Sequence, residues 1–208
     1  MHPDRLAKCV FEWDWLKRNN NWSSELLLLF NKLEMSDAFY NQSYCDTKNV
    51  ECKLYYLCSE EWKESLLSFP KLRTYTKFKS VFSVEPYLLM NLPKSKRCLL
   101  AQLRIGVLPL AVETGRYYRK PLDTRTCLVC NSNSIEDELH FICHCPRYEI
   151  YRNELYIVAN ELYKDSTFYN LGDVDKFVFI MSNNDIVLKL AWFTQHAWRE
   201  RQDALYHQ

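Results

Sequence analysis

Cys127, Cys130, His140 and Cys145 combine the residue types and spacing of a metal site. They read C-x2-C-x9-H-x4-C within CLVCNSNSIEDELHFICHCPRY. A C-x2-C turn presents two thiolates to one ion. Zinc favours four such soft or borderline ligands in a tetrahedron, at ~2.3 Å for sulfur and ~2.0–2.1 Å for histidine nitrogen. Asn131, Ser132, Asn133 and Ser134 make the intervening gap turn-like, and IEDELHFICH then reads as helical. Cys145 falls where that helix breaks before Pro146, so His140 and Cys145 can converge. Three cysteines and a histidine leave no open position, which predicts a structural Zn2+ rather than a catalytic one.

Two further donors stand beside this set. His144 forms H-x3-H with His140, an i, i+4 pair on one helix face, and Cys143 is a third thiol. Both are alternates for the closing ligands, or packing residues with no metal role. The bland alternative for the whole cluster is a group of buried thiols without metal. The acidic run Glu136, Asp137, Glu138 suits a helix's first turn, and one of the three is a candidate to orient His140. Cys9, Cys45, Cys52, Cys58 and Cys98 are expected to be buried thiols. An odd count of nine cysteines, with no apolar leader at the N-terminus, predicts reduced thiols and an intracellular site, nuclear or cytoplasmic. No Ser/His/Asp or Cys/His catalytic set stands out, so a non-catalytic protein is expected.

Upstream of the cluster lies a basic, aromatic block. Lys71, Arg73, Lys77 and Lys79 alternate with rings. Lys94, Lys96, Arg97 and Arg104 follow, and Arg116, Tyr117, Tyr118, Arg119, Lys120 and Arg125 run into the cysteines. Residues 71–126 carry net +9, between flanks of net −3 (1–70) and net −5 (127–208), although the whole chain is only +1. Cations neutralise phosphates and rings stack on unpaired bases. The block therefore predicts a nucleic-acid contact, RNA or DNA. The competing reading is a solvated basic face that pairs with the chain's own carboxylates. In that case the module would have a protein partner, or a purely structural role.

The elements that must position these groups read as helices. Only 3 of 208 residues are glycine, about 1.4% against an average near 7%. That disfavours glycine-rich phosphate loops and turn-dense sheet folds. Apolar residues recur at helical spacing in 5–18, 22–35, 45–69, 94–105, 146–164 and 185–205. Asp46 is a cap candidate, Pro70 a stop and Gly106 a C-cap. TYTKFKSVF reads as a short helix, and 107–126, with Pro109, Gly115 and Pro121, as the least regular stretch. The six tryptophans sit at helical spacings and are expected in the core. No fully apolar run is longer than that of Leu26–Phe30, far short of the ~20 residues of a membrane span. The predicted fold is mainly α, a helical domain carrying a small zinc knuckle. A soft boundary divides a helical region, 1–70, from a basic knuckle-bearing region, 71–208.

CLVCN and IEDELHFICHCPRYEIYR resemble the cysteine–histidine motif after the polymerase domain of non-LTR (LINE-type) retrotransposon reverse transcriptases. KLRTYTKFK, LAQLRIGVLPLAVETGRY, PLDTRTC and KFVFIMSNNDIVLKLAWF are similar to segments flanking that motif, with 71–152 the most specific part. The resemblance implies a nucleic-acid-binding tail that helps a polymerase engage template RNA or target DNA. It carries Cys127, Cys130, His140 and Cys145 over as zinc ligands. No Asp-Asp pair occurs in the chain, so the polymerase's metal-binding turn is missing and a tail without its catalytic domain is expected.

Overall fold

The computed structural model describes residues 6–17, 21–164 and 167–206. The fold is mainly α: 71% of the chain is helical, and no strand forms among the described residues. The chain divides into two compact units, Met1–Ser65 and Leu66–Gln208. The division falls inside the last turns of a helix, a few residues before Pro70. Proline marks the end of that element rather than the limit of its packing.

The first unit holds α1 (Leu6–Lys17), α2 (Asn21–Lys32), α3 (Ser36–Tyr40) and most of α4 (Thr47–Ser68). Asp46 starts α4 as expected, its Oδ1 accepting from the Lys48 N–H at 3.3 Å. Phe39 is the focus of packing, with ring centroids 4.7 Å from Trp15 and 5.7 Å from Phe30. Leu33 is also buried. Few other apolar groups of α1–α4 are covered, and two expectations fail here. Trp13 and Trp22 are exposed, while Trp15, Trp62, Trp192 and Trp198 are half-buried. Short helices around one phenylalanine cannot enclose an indole on every side. Cys9, Cys52, Cys58 and Cys98 are exposed and Cys45 half-buried. Cys98, for example, shares the outer face of its helix with Lys94, one turn away.

The second unit begins with two 3-10 turns, Pro70–Arg73 and Tyr75–Lys77, so TYTKFKSVF is less helical than expected. Then come α5 (Pro86–Leu89), α6 (Lys94–Arg104), α7 (Ala111–Tyr117), α8 (Glu149–Leu162), α9 (Asp173–Ser182) and α10 (Val187–Tyr206). α10 packs on α6, α8 and α9. Its buried Val187, Leu190, Ala191, Thr194, Ala197 and Arg201 recur at three- and four-residue spacing, the stripe of a core-facing helix. Leu100, Leu103, Phe141, Tyr148, Leu155, Phe177, Ile180 and Phe193 complete one contiguous core. Each such side chain contributes about 1.5–3 kcal/mol on burial.

α6 ends as its glycine predicts. Gly106 has φ +71°, Val107 N–H donates to Gln102 O at 2.9 Å and Gly106 N–H to Leu103 O at 3.3 Å, a Schellman close. A Cβ at 106 would lie 2.7 Å from the Lys71 carbonyl, so close approach also demands glycine. α7 is the helix the sequence reading missed. Gly115 looks like punctuation in the sequence, yet it sits inside the helix, where the Arg125 side chain crosses it. A Cβ there would lie 2.7 Å from Arg125 Cγ. No helix among the described residues is long and apolar enough to cross a membrane.

Candidate metal centre

The cluster is built by a loop and a turn. The loop closes on an isolated antiparallel bridge between Thr126 and Ile135. Cys127 N–H donates to Ser134 O at 2.9 Å and Glu136 N–H to Arg125 O at 3.0 Å. This places Cys127 at the base of the loop and Cys130 near its middle. His140 and Cys145 come from the segment after the loop, which is a single π turn, His140–His144, rather than an α-helix. Cys145 N–H donates to His140 O at 2.8 Å, the i→i+5 bond of that turn. On a regular α-helix residues five apart point about 140° from one another. The wider turn brings imidazole and thiol to one side.

The four donor atoms, three Sγ and one imidazole nitrogen, all lie within 4.8 Å of one another. Cys130 Sγ is 3.4 Å from His140 Nε2. A tetrahedral zinc with the bond lengths above separates sulfur from nitrogen by ~3.5 Å and sulfur from sulfur by ~3.8 Å. The donors therefore lie within about 1 Å of the separations a tetrahedral ion needs. Cys127, His140 and Cys145 are buried and Cys130 is half-buried. The two alternates go elsewhere. His144 Nε2 lies 3.0 Å from Asp173 Oδ2, and buried Cys143 points its thiol at the Asp173 carbonyl, 3.9 Å away. Burial pushes the Cys143 thiol up to about 11, as expected of a packing thiol.

The sulfurs perturb one another. The hydrogen bond with Cys145 and then burial push Cys127 up to about 12. The same bond holds Cys145 below the ordinary thiol value. Burial lowers the His140 pKa, but Cys127 and Cys130 more than offset it, so the net shift is upward. A bound cation would displace the protons shared among these groups, so loading releases protons and weakens in acid.

None of the acidic run orients the His140 ring, which corrects the sequence expectation. Asp137 Oδ1 accepts from the His140 backbone N–H at 2.8 Å. Glu138 accepts from Thr74 Oγ1 at 2.9 Å and pairs with Arg73 at 3.4 Å. Glu136 accepts from Ala111 N–H at 2.7 Å and from Arg201 Nε and Nη2, each at 2.8 Å. The Cys127 thiol also faces Glu136 Oε1, at 3.7 Å. His140 Nδ1 is buried with no hydrogen-bond partner among the described residues. Glu136 thus joins the cluster to α7 and α10. Arg152, unflagged by the sequence, donates to the Ile142 carbonyl at 2.8 Å and to the Cys145 carbonyl, tying the π turn to α8.

The basic block separates into two groups. Arg104 is not a surface cation. It is buried, pairs with Glu85 at 2.8 Å, donates to the Met181 carbonyl and lies 4.6 Å from the Phe78 ring centre. Its place one turn from Leu100 on the apolar face of α6 was the available signal. Arg125 is likewise spent internally. Its Nη1 donates to Val112 O at 2.8 Å, and its Nε and Nη2 to Lys120 O at 3.0 and 2.7 Å. Arg73, Lys79 and Arg116 pair with Glu138, Glu85 and Glu113. Lys71, Lys77, Lys94, Arg119 and Lys120 are exposed, and Lys96 and Arg97 half-buried. None of these seven has an ion-pair partner among the described residues. Tyr117 and Tyr118 are 69% and 77% exposed. Comparison with known proteins finds no matching family model, no matching curated protein and no matching solved structure.

Proposed function

We propose that Leu66–Gln208 is a non-catalytic nucleic-acid-binding module whose Cys127, Cys130, His140 and Cys145 hold a structural zinc ion. Three thiolates and an imidazole are the wrong donors for magnesium or calcium and the right ones for zinc. Four protein ligands leave no place for a substrate or a reactive water. The ion's work is to pin the loop that follows the basic block. The observation that carries the binding assignment is the surplus of unpaired cation. Lys71, Lys77, Lys94, Lys96, Arg97, Arg119 and Lys120 have no carboxylate partner among the described residues, in a segment, 71–126, with only three acidic residues. The resemblance of 71–152 to LINE-type reverse transcriptase tails supports the same reading, with RNA or DNA as the ligand.

A second reading is a protein-interaction module with structural zinc and no nucleic-acid affinity. The internal pairing of Arg73, Lys79, Arg104 and Arg116 favours it. One titration separates the two: binding to fluorescent single-stranded RNA and to duplex across a range of salt, with metal content determined on the same preparation. The proposal expects about one zinc per chain and a log–log salt slope for single strands no steeper than about −5, the limit set by seven cations. One zinc with no binding at low salt selects the protein-partner reading.

A further inference from the structure

The unpaired cations and the exposed rings coincide at one place, the end of α7. α7 closes in a Schellman pattern. Lys120 N–H donates to Gly115 O at 2.9 Å and Arg119 N–H to Arg116 O at 3.1 Å, with Arg119 at φ +54°. Glu34 and Gln42 also have left-handed backbones, at φ 55° and 49°, so that conformation is not itself evidence of function in so glycine-poor a chain. What distinguishes this turn is its chemistry. The Tyr117 hydroxyl donates to Glu113 Oε1 at 3.1 Å, which pins its ring along the helix while most of the ring faces solvent. Tyr118 has no hydrogen bond or ring contact among the described residues. Arg119 and Lys120 follow directly, both exposed and with no ion-pair partner among the described residues.

The turn is also held rigid. Arg125 grips the Lys120 and Val112 carbonyls and lies across Gly115, and it stands two residues before Cys127. The rings and cations are therefore fixed to the metal loop rather than carried on a free arm. Such a surface suits a flexible polyanion with accessible base faces. In a duplex the bases stack on one another and offer no face to a tyrosine, whereas a single strand does.

Building on the nucleic-acid reading, we infer that Tyr117-Tyr118-Arg119-Lys120 is a stacking platform that selects single-stranded nucleic acid over duplex. Tyr118 supplies the principal base contact and Arg119 and Lys120 hold the adjacent phosphates.

The test uses the full zinc-loaded chain with a single-stranded RNA, a single-stranded DNA of the same sequence and the matching RNA duplex. Wild type is expected to bind both single strands more tightly than the duplex. Tyr118→Leu should weaken single-strand binding on the order of tenfold and leave duplex binding unchanged. Tyr118→Phe, which keeps the ring, should retain affinity. Arg119→Gly should also weaken binding while its melting temperature stays the same or rises, because glycine relaxes the left-handed backbone. Unchanged helical signal and zinc content in each variant show that folding is intact. Equal loss on single strands and duplex in Tyr118→Leu, or full affinity in it, overturns the platform. If a Lys94→Ala/Lys96→Ala/Arg97→Ala variant then loses binding, the broader nucleic-acid reading stands without the platform. Wild type that binds no probe at low salt overturns both. A difference between the two single strands identifies which sugar the surface accepts.

Discussion

The two units of this chain are both helical, yet they are held together differently. Among the described residues of Met1–Ser65, Leu33 and Phe39 are the only buried apolar side chains, and the ion pairs Lys32–Glu61 and Lys63–Glu60 face water. Leu66–Gln208 encloses a continuous apolar core and threads it with buried charge: Glu136 on Arg201, Glu85 on Arg104, Glu138 on Thr74. The contrast shows that helix content says little about how firmly a helix is placed. Propensity and caps are sufficient to start α4. The helices around the metal loop are fixed by apolar burial and by carboxylates that link distant elements.

The strongest way to test that contrast is to remove the metal. Chelation or Cys130→Ser should lower the melting midpoint of the second unit by more than about 10 °C, because metal binding is coupled to folding. Hydrogen exchange should accelerate across 111–152 and stay unchanged in α4 up to Ser65. Cys98→Ser, at an exposed thiol, should match wild type in midpoint and metal content. Uniform loosening of both units would remove the distinction between them.

Cutting one buried tether should matter next. Arg201→Ala leaves the Glu136 carboxylate buried without its guanidinium, at a cost of about 3–5 kcal/mol in denaturant unfolding. Adding Glu136→Gln, which keeps an acceptor for the Ala111 N–H, should recover part of that loss. Lys63→Ala in the first unit should leave the unfolding midpoint unmoved. A comparable loss from Lys63→Ala would mean that the two units rely on charge in the same way.

The smallest effect concerns alkaline pH. Burial holds the Tyr148, Tyr156 and Tyr75 hydroxyls well above the ordinary tyrosine value, with Glu85 adding to the effect at Tyr75. In the unfolded chain they ionise near 10. Above that pH the unfolded state binds fewer protons than the native one, so stability falls as pH rises; below it these groups add no slope. Tyrosinate absorbance should therefore show a late phase that coincides with loss of the second unit's helical signal. Complete ionisation near pH 10 with the fold intact would contradict this.

Much of the secondary structure was legible because local chemistry determines it: Asp46 starts α4, Pro70 follows its end, and Gly106 closes α6. Residue type and spacing pointed to the cluster of Cys127, Cys130, His140 and Cys145, but His144 and Cys143 competed for its closing positions until the fold turned both toward Asp173. What failed required knowledge of partners. Arg104 and Arg125 are written in the same letters whether they meet a phosphate, a carboxylate or a carbonyl oxygen. Gly115 looks like a break until the side chain that crosses it is known. Exposed Trp13 and Cys98 obey helical periodicity as well as buried residues do, since periodicity defines faces and only tertiary packing decides which face is covered.

The π turn between His140 and Cys145 has a consequence for how such a chain can change over generations. A π turn is an α turn that has gained one residue. Two ligands five apart on the wider turn occupy the relation that ligands four apart have on the ordinary one. A chain one residue shorter here is thus expected to keep the two side chains together, the backbone returning to an ordinary α turn. A change of two residues or more has no such outlet. Loss of one residue between these two positions is thus expected to disturb the cluster less than loss of either donor atom.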